Sequence, residues 1–67
     1  MATLQTLSQK VQLKGYKIHH YESLYQFSFI IQDKDETHIG AWHETSIPKR
    51  VLVKEIISNK LEQILNN

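Results

Sequence analysis

The sequence predicts an α+β domain: a helix, a three-stranded antiparallel meander and a second helix, with both helices packed on one face of the sheet. Three observations carry that expectation. The strand expected over residues 24–32 places Tyr25, Phe27, Phe29 and Ile31 on one parity and Gln26, Ser28 and Gln32 on the other, broken only by Leu24 and Ile30. That alternation of aromatic and β-branched with polar residues is the pattern of a strand with one buried face. Towards both ends of the chain the apolar residues recur three and four apart instead, as on a helix. The joints between the strand-like stretches are short and polar or charged, which suits hairpins rather than crossovers.

Taken in order, Leu4, Leu7 and Val11 make one stripe of a helix over residues 3–14. Thr6 with Gln9, or Thr3 one step earlier, can cap its start, and Gly15 stands where a left-handed C-terminal cap belongs. Leu13 lies off the stripe and is expected to pack where the chain turns into the sheet. Residues 16–22 alternate as a first strand, with Tyr16 and Ile18 on its buried face and Glu22-Ser23 as a tight turn into the central strand. Asp33-Lys34-Asp35-Glu36 is a charged run that reads as a solvent-exposed hairpin loop.

Residues 37–43 form the third strand, and either Ile39, Ala41 and His43 or His38, Gly40 and Trp42 face the core. A bulge at Gly40 would let both Ile39 and Trp42 contribute. Ser46 is placed as an N-cap and Pro48 suits the first turn of the last helix, residues 48–65. On that helix Val53, Ile56, Ile57, Leu61, Ile64 and Leu65 form a wide apolar face. Val51 and Leu52 add apolar surface beyond what one face requires, and a second contact such as a dimer partner would explain them.

Length and composition narrow the function classes. Residues 1–67 make one domain, and a chain this short buries only about 60% of its unfolded surface. It has no cysteine, hence no disulfide and no thiol chemistry; self-association to a homodimer is one recurrent compensation. No basic residue precedes Lys10 and no apolar run approaches a membrane span, so the expectation is a protein without a secretory leader or membrane contact, cytoplasmic in location. Lys10, Lys14 and Lys17 give residues 1–20 a charge of +3. Glu22, Asp33, Asp35, Glu36 and Glu44 against Lys34 give residues 21–46 −4. Lys49, Arg50, Lys54 and Lys60 against Glu55 and Glu62 return +2 in residues 47–67.

His19 and His20 are adjacent on a strand and point to opposite faces, and so would His38 and His43. In a meander the central strand separates the first from the third, so the histidines do not gather into a metal site. No nucleophile stands at a spacing that marks an oriented base, and no glycine-rich phosphate loop exists. Neither catalytic residues nor a cofactor are expected.

The basic group Lys49, Arg50 and Lys54 at the start of the last helix is the clearest charged feature. Cations there oppose the helix dipole, and a bound phosphate would relieve the conflict. Helix–strand–strand–strand–helix at this length resembles the double-stranded RNA-binding domain. In that family, lysines at the start of the second helix grip phosphates across a groove, and the resemblance gives that role to Lys49, Arg50 and Lys54. The spacing is one residue longer than the family's run of lysines, and its Gly-Pro-x-His loop has no counterpart in Glu22-Ser23-Leu24. The same order resembles small HicA-type toxin ribonucleases, whose Gly-Ser-His motif is missing here.

The leading expectation is a non-enzymatic module that binds another protein through Val51, Leu52 and Trp42, as an accessory or regulatory subunit, inhibitor or adaptor. The alternative is binding of duplex RNA or DNA through Lys49, Arg50 and Lys54, helped by Lys10 and Lys14.

Overall fold

The computed structural model describes residues 3–66. Helix α1 (Leu4–Leu13) leads into strands β1 (Lys17–Glu22), β2 (Phe27–Gln32) and β3 (His38–Glu44), and helix α2 (Ile47–Leu65) closes the chain. The sheet is an antiparallel meander in the order β1-β2-β3. Both helices lie on one of its faces, so the expected αβββα architecture is the observed one.

Helix α1 starts where Thr3 caps it, its Oγ1 accepting from Thr6 N at 3.2 Å. It ends at Gly15, whose φ of 102° only glycine adopts without strain. Leu7 and Val11 are buried and Leu4 is partly buried, so the stripe is as the spacing predicts. Leu13 is the exception: it is 88% exposed rather than tucked under the turn. Two residues past Val11, it has rotated more than half a turn away from the stripe, and nothing covers that side.

The core parity of β2 is the expected one, with Phe27, Phe29 and Ile31 at 0% exposure. Their cross-strand neighbours are Glu22, His20 and Ile18 on β1 and Glu44, Trp42 and Gly40 on β3. Ile18 packs against the core as predicted, and so does Tyr16 just before β1. The register slips by one between Ile31↔Gly40 and Gln32↔His38, so Ile39 is the extra residue of a bulge. Ile39 and Trp42 therefore both reach the core, as the glycine suggested, although the bulge falls one residue before it. Gly40 has a different task. A Cβ there would stand 2.5 Å from Trp42 Cη2, so its bare backbone is what lets the indole lie down over β3.

Two hairpin loops join the strands. Asp33–Thr37 is the exposed charged loop foreseen, closed by Asp33 Oδ1, which accepts from Asp35 N at 2.8 Å and Thr37 N at 3.0 Å. The first hairpin departs from expectation. Its connection is Ser23–Gln26, longer than a Glu22-Ser23 turn, and β2 begins only at Phe27. Ser23 Oγ accepts from Tyr25 N at 3.2 Å and Gln26 N at 3.3 Å, curling the segment out of the ladder. Tyr25, placed on the core face by its parity, is consequently 81% exposed at the loop.

Helix α2 begins at Ser46 with Pro48 in its first turn, but the Ser46 side chain makes no capping bond. Glu44 Oε2 instead accepts from Thr45 N and Ser46 N at 3.0 and 3.1 Å. Ile57, Leu61 and Ile64 are buried and Val53 and Leu65 partly so. Ile56, expected in this face, is 53% exposed because it sits on its shoulder, one residue and 100° from Ile57. At the other end Lys14 Nζ donates to Leu65 O at 3.3 Å and Ile64 O at 3.5 Å, closing the negative end of the helix dipole.

The opposite face of the sheet has no helix over it. Lys17, His19, Tyr21, Ala41 and His43 are exposed there. His19 Nε2 lies 2.7 Å from Gln32 Oε1, and Lys17 Nζ donates to Glu36 Oε1 at 2.6 Å. His20 is on the helix side, its ring 5.4 Å from those of both Phe27 and Phe29. Among the described residues no group of metal-ligating side chains comes together, and no helix is long and apolar enough to cross a membrane.

Candidate interaction surface

The start of α2 is organised around Arg50. Counting back seven from Ile57 puts Arg50 in phase with the buried stripe, and it is only 5% exposed. Its Nη1 donates to Ser23 O at 2.7 Å and to Glu22 Oε2 at 3.4 Å, and its Nη2 reaches Leu24 O at 3.3 Å and Thr45 O at 3.5 Å. Its Nε is buried without a partner. A planar guanidinium with several donors can hold three carbonyls and a carboxylate at once, which a lysine cannot. The sequence reading made Arg50 a solvent-facing cation for phosphate. Its burial and its partners correct that: the group is a strut between the first hairpin loop and the last helix.

Glu22 gathers the rest of the cluster. Lys54 Nζ lies 3.1 Å from Glu22 Oε1 and 5.5 Å above the Phe27 ring, and His20 Nε2 stands 3.8 Å from Oε1. Partial burial pushes the Glu22 carboxyl up, but the hydrogen bonds and charges of Lys54 and then Arg50 outweigh it and hold the group below its ordinary value. Of the five proposed phosphate contacts, then, Arg50 is buried, Lys54 is paired and Lys14 closes α2, while Lys10 and Lys49 are exposed.

The strut has a second consequence. By holding the carbonyls of Ser23 and Leu24 against α2, it brings exposed Leu24 and Tyr25 to the end of the molecule where α2 shows Ile47 and Val51. Leu52 and Ile56 continue the apolar surface around the helix. All six side chains are more than half exposed, Tyr25 at 81%, Val51 at 70% and Leu24 at 69% being the most open. Ile47 with Val51, and Leu52 with Ile56, stand one turn apart and make two exposed apolar pairs, the kind of surface that marks a contact in a monomeric protein.

Of the three predicted interaction residues, Val51 and Leu52 are on this surface. Trp42 is not: its indole packs against Phe29 at 6.4 Å and is part of the core margin. Leu24, Tyr25 and Ile47 were missed. Leu24 and Tyr25 were assigned to a strand interior, and only the bonds of Arg50, more than twenty residues away in sequence, reveal otherwise. Compared with family models, characterised proteins and solved structures, the chain matches none.

Proposed function

We propose that this is a non-enzymatic module that binds another protein through the exposed apolar surface at the start and outer side of α2. The observation that supports it is the exposure of Ile47, Val51, Leu52 and Ile56 on a helix whose opposite side is fully docked. A 67-residue chain has little core to hold it together, so such exposure is costly unless a partner covers it. Leu24 and Tyr25 extend the surface, and Lys49 adds a cation at its rim. An adaptor, inhibitor or accessory subunit has this design: a small scaffold that presents one face. Gripping a duplex is the weaker reading, because Arg50 and Lys14 are engaged within the fold.

The test compares partner capture by the wild-type chain with capture by Val51→Asp and Leu52→Asp, whose native positions are exposed and should accept the change without unfolding. Loss of a salt-resistant partner in both variants, with Lys49→Glu unaffected, supports the reading. Equal capture by all the chains sinks it. Salt-sensitive retention of duplex RNA that fails in Lys49→Glu would favour the phosphate reading instead. Sedimentation of the purified chain at rising concentration shows whether the partner is a second copy.

A further inference from the structure

The sheet has two edges, and they differ. The outer edge of β3 is broken by the Ile39 bulge, one of the devices that keep an edge from recruiting a further strand. The outer edge of β1 has no such device. Its residues, Lys17 to Glu22, run in unbroken register with β2, without bulge or proline, and no described strand pairs on the other side.

Beside that edge, on the helix side, α1 leans on α2 more than on β1 and leaves a groove of about 700 Å³. The volume is in the range of sites that hold small ligands or peptide side chains. Because the turn at Gly15 reverses the chain, α1 and β1 run antiparallel along its two sides. Gln5, Ser8 and Gln12 of α1 line one wall at intervals of about one turn, and Ile18 and His20 of β1 line the other. A residue added beside β1 would send every second side chain towards this groove, about 6.8 Å apart, against about 5.4 Å per turn of the facing helix.

The charge of the groove limits the occupant. No carboxylate lines it, whereas Lys54 and His20 do, at the end where α1 begins. Glu22 adjoins that end on the same face of β1 and pairs with Lys54 beside His20, but one carboxylate against the two cations Lys54 and Arg50 still leaves a surplus of one positive charge there. Thr3, Gln5, Ser8, Gln9 and Gln12 place hydroxyl and amide groups along the groove, donors and acceptors within reach of a polypeptide.

We infer that β1 accepts an extended segment of a partner protein as a fourth antiparallel or parallel strand, with a carboxylate of that segment received by Lys54 and His20. Main-chain pairing supplies the affinity and the groove supplies the choice of side chain. The site does not depend on the apolar surface of α2. The two adjoin, since Lys54 is three residues on from Val51 along the same side of the helix.

The test selects binders to the whole chain from a displayed library of random linear peptides and follows a selected synthetic peptide by amide NMR. The expected result is peptides that carry an acidic residue or a free terminal carboxylate, with amides of residues 17–22 shifted and slowed in hydrogen exchange. Replacing the peptide's carboxylate by its amide should weaken binding about tenfold or more; separate side-chain and terminal amides identify which carboxylate is read. Gln9→Trp and Gln5→Trp, exposed helix positions on the groove, should weaken it by a similar factor while Leu52→Asp leaves it unchanged. Failure to select any peptide, selected peptides that shift α2 without protecting β1, or indifference to both tryptophan variants in folded protein would overturn the inference. So would protection of β1 by concentration alone, which would assign the edge to a second copy.

Discussion

The two hairpin loops are close in length and connect neighbouring strands, yet they are held by different forces. Asp33–Thr37 is held from within: one carboxylate oxygen takes two backbone N–H groups of the same loop. Ser23–Gln26 is held in part from outside, by a guanidinium that sits on the far side of the sheet in sequence and reaches its carbonyls from α2. A loop that satisfies its own backbone can be written in a few residues. A loop that borrows its donors depends on everything that positions the lender, and here it carries exposed apolar residues as well.

The largest expected break in this comparison is Arg50→Ala. It would leave three carbonyls without their donor, while Glu22 stays partly in water and paired with Lys54, so the loss is that of hydrogen bonds from a charged group, about 1.5–3 kcal/mol. Urea denaturation measures the loss, and hydrogen exchange should show residues 23–26 opening while residues 33–37 stay as they were. Arg50→Lys sharpens the point, since it keeps the charge but not the fork of donors and should recover little of the stability.

Acid should act on the same side of the molecule. Glu22 has a folded-state value below its unfolded one, so it adds stability above the unfolded value and loses it as pH falls through the folded one. Glu36, held low by the hydrogen bond and charge of Lys17, acts in the same direction at the other loop. The melting temperature should therefore drop on acidification through the carboxylate range, and Glu22→Gln should flatten part of that dependence. An unchanged slope in the variant would mean that the Arg50–Glu22–Lys54 cluster adds no pH-dependent stability.

Asp33→Ala tests the self-contained loop. The loss of two side chain–backbone bonds should cost about 1 kcal/mol and disturb only residues 33–37. Tyr25→Ser should be the smallest change, within about 0.5 kcal/mol in stability because the ring is almost wholly in water. A large destabilisation would show that Tyr25 packs after all, and unchanged partner binding would remove it from the apolar surface.

The same contrast explains what could be read in advance. The Asp33 loop was legible as exposed because a run of charged residues cannot be buried, whereas the capture of its backbone by Asp33 Oδ1 came only from the structure. Arg50 was misread because a charged residue at a helix start is ordinarily solvated, although its position seven residues before Ile57 placed it in the buried phase. Trp42 was legible as a core candidate only together with Gly40, whose missing side chain gives the indole its place. The histidines were only partly legible. His19 and His20 face opposite ways, as adjacent strand residues do. The Ile39 bulge shifts the parity of β3, so that His38 opposite Gln32 and His43 opposite Ser28 share the open face rather than opposite ones.

By itself the sequence determined the order and kind of the five elements, the buried parity of Phe27, Phe29 and Ile31, and the Leu7–Val11 stripe, because each follows from a period within one element. Only the tertiary structure decided that Tyr25, Leu13 and Ile56 face water, that Arg50 is enclosed, and that Ile39 is the bulged residue. Periodicity states which side chains can share a face. Whether that face is covered depends on how far the neighbouring layer extends, and that is set by contacts between residues distant along the chain.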